Sequence, residues 1–172
     1  MEEKKDLKQS VLDLAVENYK SGLNCAESVY DALIRSGVLK ADPDTRSMAI
    51  GFGGGIGLGG YTCGALSAAV MANGAVYGRP NPWEIDSEIR GREISEKYYR
   101  RYNKLLHDFE KMNGGVLCRN ICDKFDDFHS KERRKMCMEL VANTAALTYD
   151  YLLMTQEEAF ALPYGDNIGG MK

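Results

Sequence analysis

Seven of the ten residues from Gly51 to Gly60 are glycine, and the run leads through Tyr61-Thr62 into Cys63-Gly64-Ala65. Glycine at that density costs backbone entropy on folding and supplies no side chain to pack. A chain carries such a stretch where its backbone must turn unusually or lie close to another group, and the nearest candidate is whatever Cys63 touches. The run contains one formal G-x-G-x-x-G match, Gly55, Gly57 and Gly60. No strand precedes it, no acidic residue follows where a βαβ unit needs one, and no Gly-Lys-Ser/Thr completes a P-loop. The stretch points to a cysteine site with a close-lying loop, not to a nucleotide fold.

Helical signals surround the loop. Leu7 to Tyr19 carries Leu7, Val11, Leu14 and Ala15 on one stripe. Asn24-Cys25-Ala26-Glu27 reads as a capping box that puts Cys25 at the first position of a helix to about Ser36. Asp42-Pro43 starts a short helix to about Ile50. Thr62 is the expected cap of a helix from Cys63 to Tyr77, whose Ala65, Ala68, Ala69, Ala72 and Ala75 suit a central element approached closely by neighbours. Asn81-Pro82-Trp83-Glu84 opens a long helix to about Met112, with Ile85, Ile89, Tyr98, Tyr102, Leu105 and Phe109 as its stripe. Val116 to Cys122 forms one or two turns and Asp123 to Ser130 a polar loop. Ser130 then caps a last long helix with Cys137, Leu140, Val141, Thr144, Leu147 and Tyr151 on a broad face. The tail from Thr155 is expected to be loose. No strand is indicated, so the expectation is an all-α, single-domain bundle of five to seven helices with a Gly-rich loop, spanning residues 1–172 with a core over 7–154.

At 172 residues the chain can bury a core without disulfide staples. Its net charge of −3 leaves no general footprint for nucleic acid. Lys97-Tyr98-Tyr99-Arg100-Arg101-Tyr102-Asn103-Lys104 reads as a solvated face with buried rings. Met1 to Lys8 is charged, and no apolar run approaches the ~18 residues of a membrane span, so a cytoplasmic setting is expected and no membrane partner. Five cysteines in a reducing compartment are not a disulfide framework. Cys25 and Cys63 fall at helix N-termini, where the positive end of the macrodipole favours thiolate and lowers a thiol pKa. Cys118 and Cys122, four apart, share a helix face at ~5–6 Å between Cβ atoms, and Cys137 lies on the inner side of its helix. There is no Cys-x-x-Cys, and His107 and His129, the two histidines, have no metal-ligand spacing and read as surface or capping residues. Inert core thiols are the plain alternative.

Asn24-Cys25-Ala26-Glu27-Ser28-Val29, the Gly51–Gly57 run, Cys63-Gly64-Ala65, Cys118-Arg119 and Cys137 together resemble the C_GCAxxG_C_C family of redox-active proteins. The resemblance covers roughly residues 10 to 150 and carries the family's four cysteines onto Cys25, Cys63, Cys118 and Cys137. Cys122 is additional, and Ala68 stands where the family's Cys-Gly-Ala-x-x-Gly ends in glycine. A related domain of split-Soret cytochromes is associated with an iron–sulfur centre. The resemblance therefore implies a cluster on Cys25, Cys63, Cys118 and Cys137, with Cys122 as a further candidate ligand. Backbone at Gly53, Gly54, Gly55, Gly57 and Gly64 would lie against it, and the function would be electron transfer or redox sensing with a partner protein. The alternatives are a metal-free thiol–disulfide oxidoreductase with Cys63 attacking and Cys25 or Cys118 resolving, a structural four-cysteine zinc centre, and a helical interaction domain. The small-residue helix 63–77 would also suit contact between two copies, so a homodimer is a further expectation.

Overall fold

The computed structural model describes residues 2–172, excepting the side chains of Glu2 and Glu3; the Met1 end of the expected domain lies outside them. Eight α-helices follow in order: α1 (Glu2–Lys20), α2 (Cys25–Arg35), α3 (Gly64–Tyr77), α4 (Ser87–Glu93), α5 (Tyr99–Asn113), α6 (Cys118–Cys122), α7 (Lys131–Leu153) and α8 (Gln156–Phe160). Short 3-10 segments occupy Pro43–Phe52 and Pro82–Glu84. The described residues form no strand; a single antiparallel bridge joins Thr62 to Leu117. The chain is all-α, as its periodicity predicts.

The core is made by α1, α2, α3 and α7. Val11 and Ala15, Val29 and Leu33, Ala65, Ala68 and Ala72, and Val141 and Ala145 are all fully buried. The alanine stripe of α3 lets its neighbours close in, since a methyl group is all that separates the backbones at these positions. Leu105 and Phe109 of α5 add to the core from outside this group.

Local signals set most boundaries. Asn24 Oδ1 accepts from the Ala26 and Glu27 amides at 2.9 and 3.0 Å, and Glu27 Oε2 accepts from the Asn24 amide at 3.0 Å, completing the expected capping box. Ser130 Oγ accepts from the Arg133 amide at 3.2 Å.

Four expectations need correction. Cys63, not Thr62, is the N-cap of α3, because Thr62 is held extended in the bridge while the Cys63 amide donates to Val116 O at 2.8 Å. The long helix 82–112 is instead a 3-10 turn, α4, a π turn over Ile94–Tyr98, and α5. Asp86 supplies a second cap there, its Oδ1 accepting from the Glu88 amide at 2.8 Å, and Ile89 is exposed. The tail is tied down: Thr155 and Glu158 form a capping box for α8, Arg100 donates to Leu162 O at 2.7 Å, and the Gly165 amide donates to Asn103 Oδ1 at 2.8 Å. Arg101, expected on a solvated face, is 2 % exposed.

Candidate cysteine site

Three helix N-termini meet at one cleft. Cys25 is the first residue of α2, Cys63 the N-cap of α3 and Cys118 the first residue of α6. All three line a cleft of ≈ 630 Å³ together with Cys122 and Cys137, so every cysteine of the chain reaches the same space. Cys122 lies close enough to Cys118 and Cys137 to interact electrostatically with both. None of the five is in a disulfide.

The Gly-rich loop forms the lid of this cleft. Gly54, Gly55, Ile56, Gly57 and Leu58 have consecutive φ values of 63, 72, 65, 56 and 68°, one turn of left-handed backbone. The amides of Ile56 to Tyr61 donate to carbonyls of residues 51 to 56, and this closes the turn on itself. Among the described residues, no backbone carbonyl accepts from Gly53, Gly54 or Gly55, and Gly53 and Gly54 line the cleft with Gly57. Of the glycines expected against the site, Gly57 spends its amide inside the turn, on Gly51 O at 2.9 Å.

Two glycines are dictated by contact with the cysteines. A Cβ on Gly64 would lie 2.6 Å from Cys25 Sγ and from Phe52 O. A Cβ on Gly55 would lie 2.7 Å from Cys118 Cβ and from the Tyr61 backbone, at a φ that already disfavours any side chain. The loop is thus pinned to α6, where the Cys118 amide donates to Tyr61 O at 2.6 Å and the Arg119 amide to Gly60 O at 3.0 Å. Gly64 and Gly55 thereby leave the room that Cys25 and Cys118 occupy.

The electrostatics are unlike those of an exposed reactive thiol. Burial pushes the Cys63 thiol well above its usual range, and neighbouring Cys25 pushes the same way. The Ala65 and Leu66 amides pull in the opposite direction without forming a capping hydrogen bond. The lowered Cys63 pKa expected from its helix end is therefore overturned, because desolvation outweighs the dipole. Burial also raises Cys118 and Cys122, each further raised by a cysteine neighbour. Cys137 is pushed up to about 11, by burial first and Cys122 next, against the lowering pull of Arg133. Arg133 Nη1 donates to Cys137 Sγ at 3.5 Å, and Tyr19 lines the same cleft close enough to Cys137 for the two to interact electrostatically. Spacing alone did not reveal Tyr19 and Arg133. They reach the site from α1 and the first turn of α7, and no local pattern joins them.

Lys20, Arg133 and Arg134 line the cleft, and no carboxylate does. Among the described residues, no three His, Cys, Asp or Glu side chains converge closely enough to hold one metal ion. A tetrahedral zinc centre at Zn–S ~2.3 Å would need four sulfurs about 3.8 Å apart. Here the thiols line one cleft without three of them converging on a single point. His107 lies elsewhere, its ring against Asp166 O at 2.8 Å, and His129 is exposed. No described helix is long and apolar enough to cross a membrane.

Comparison with known proteins agrees with the motif. The family described as "Putative redox-active protein (C_GCAxxG_C_C)" matches residues 23–151. An uncharacterised protein of Archaeoglobus fulgidus is 30 % identical over 155 residues, covering 88 % of this chain and 97 % of its own length. No solved structure matches. With the motif cysteines in order and gathered on one cleft, the chain belongs to the C_GCAxxG_C_C family.

Proposed function

We propose that this chain is a small redox protein whose Cys25, Cys63, Cys118 and Cys137 thiolates hold an iron–sulfur cluster for electron transfer or redox sensing, with Cys122 beside them as a possible replacement ligand. The observation that carries this reading is that five cysteines from four separate segments line one cleft without a carboxylate among them. A bound cluster would supply reversible one-electron chemistry.

The protein's own groups suit the task of holding thiolates. Left alone, buried thiols that repel one another's charge stay protonated; a cationic group among them is what makes four thiolates compatible. The N-termini of α2 and α3 and Arg133 present positive charge to sulfur, and Gly53 and Gly54, whose amides meet no backbone carbonyl among the described residues, line the same cleft. Hydrogen bonds to ligand sulfurs set the potential of such centres, so Arg133, which donates to Cys137 Sγ, is the tuning group. The same pKa directions weigh against metal-free thiol–disulfide exchange, since attack needs a thiolate and Cys63 resists becoming one.

Anaerobic expression followed by measurement of iron, acid-labile sulfide and zinc, with a visible spectrum, tests the reading. Near-equal iron and sulfide that disappear in Cys63→Ser are expected. Stoichiometric zinc would replace it with the structural-zinc reading. Colourless, metal-free protein that reconstitution does not colour, and whose thiol count rises with dithiothreitol, would replace it with the disulfide reading.

A further inference from the structure

We propose that the mouth of the cysteine cleft is a docking face for an acidic electron-transfer protein; this rests on the redox reading above. Three independent features converge there. The first is apolar exposure. Ile50 and Leu58 line the cleft yet are 64 % and 72 % exposed, and Tyr61 on the same loop is 60 % exposed. Ile56 and Met48 add two more exposed apolar side chains in this part of the chain. Large apolar side chains left this exposed beside a cleft mark an interaction site.

The second feature is strain held in the same place. Ile56 and Leu58 are the two non-glycine residues with positive φ among the described residues, inside a turn whose other three left-handed residues are glycine. Each costs backbone energy that glycine there would avoid, and their side chains contribute nothing to the buried core. Their placement makes sense if the exposed side chains meet something outside the molecule.

The third feature is charge. Lys20, Arg133 and Arg134 line the main cleft, and Arg119 lines the smaller hollow that shares Gly54, Leu58, Cys118 and Cys122 with it. None of the four cations is within ion-pair distance of a carboxylate among the described residues. Arg119 instead donates to Gly59 O at 2.7 Å and lies over the Tyr61 ring, so it braces the apolar loop from below. Asp123, Asp126 and Asp127 are exposed on the loop between α6 and α7, but none lines the cleft. On a chain of net charge −3 this is a local reversal of sign. An acidic surface complements it and is steered toward it, as weak, fast electron-transfer contacts require.

An anionic membrane surface shares part of this chemistry. A protein is favoured because exposed Ile50 and Leu58 line the thiol cleft itself, where a docked surface comes close to the sulfurs; a lipid surface has no reason to be placed there.

The test is chemical-shift mapping of the 15N-labelled full chain, prepared anaerobically, at low ionic strength. The probes are a plant-type ferredoxin as the acidic protein, a basic mitochondrial cytochrome c, and phosphatidylglycerol vesicles. Ferredoxin is expected to perturb amides of residues 56–61 and 133–134. The perturbation should fade by about 0.3 M salt, where screening is strong. The exposed charge-reversal pair Lys20→Glu with Arg134→Glu, and separately Leu58→Ser, should weaken binding by roughly tenfold or more. Absence of perturbation by ferredoxin, perturbation of another face, equal response to cytochrome c, or indifference to charge reversal would each overturn the proposal. Capture by vesicles with burial of the same loop would overturn it in favour of a membrane surface. Metal analysis of the same sample separates the two readings. Docking at the rim without iron or sulfide leaves this proposal standing and removes the cluster, and iron and sulfide with docking elsewhere does the reverse.

Discussion

At Cys63 two local effects oppose each other, and their magnitudes decide the outcome. A helix N-terminus contributes ~0.3–1 kcal/mol toward an anion, whereas full burial shifts a thiol by up to several pKa units. Burial wins at Cys63, and Cys118, Cys122 and Cys137 move in the same direction. The consequence for stability follows by linkage. In the unfolded chain the Cys137 thiol ionises near 9.0, in the folded chain at about 11. Between those values the unfolded state binds fewer protons than the folded one, so stability falls as pH rises. Denaturant midpoints of reduced, metal-free protein should therefore drop steadily from pH 9 to 11, with the drop smaller in Cys137→Ala. A flat profile across that window would contradict the burial argument.

Among the elements, the left-handed turn over Gly54–Leu58 and α2 show how differently local signals behave. The capping box at Asn24 is a short-range pattern and formed as its residues require, with Asn24 Nδ2 also donating to Ile50 O at 3.1 Å to tie α2 to the loop. The Gly-rich run announced unusual backbone but not its hand or its closure. Those came from contact with α6 through the Tyr61 and Gly60 carbonyls. Ile56 in this turn carries left-handed strain of ~1–2 kcal/mol, against ~0.5–1 kcal/mol of added chain entropy if it were glycine. Ile56→Gly should accordingly raise unfolding stability, by up to about 1 kcal/mol, measured by urea denaturation. A clear loss would mean that the exposed side chain supports the fold itself. The expected single helix over 82–112 failed for a related reason: a second cap at Asp86 restarts the chain there, and periodicity alone does not weigh one cap against another.

Across the whole molecule, Arg101 joins the periphery to the core. Its guanidinium donates to Tyr151 O at 2.6 Å and to Met154 O and Thr155 O at 2.9 Å, and stacks on the Tyr77 ring at 3.7 Å. It thereby satisfies the last carbonyls of α7 and holds the start of α8 against α5. Burial pulls its pKa down, yet it stays a donor to three carbonyls. Arg101→Met keeps much of the volume but leaves the buried Tyr151 carbonyl unpaired, at ~1–3 kcal/mol for a group so stranded, while the carbonyls of half-buried Met154 and exposed Thr155 have access to water. A loss of about 2 kcal/mol in equilibrium unfolding is expected. Retention of wild-type stability would show that the α7–α8 junction is held by packing alone.

Helix class, the caps at Asn24 and Ser130 and the helix-end placement of Cys25 were determined by the sequence, because each depends on residues within one or two turns of one another; the family motif was legible too, as an ordered set of residue types along the chain. Long-range folding alone decided the rest. The gathering of Cys25, Cys63, Cys118, Cys122 and Cys137 on one cleft, the burial that reverses the expected pKa of Cys63, and the recruitment of Tyr19 and Arg133 to Cys137 join segments far apart in the chain. The inward turn of Arg101 belongs with them, since a guanidinium on a helix reads as solvated until the carbonyls that receive it are in place. Charge and solvation act through space, so a linear pattern can name the groups but not their neighbours.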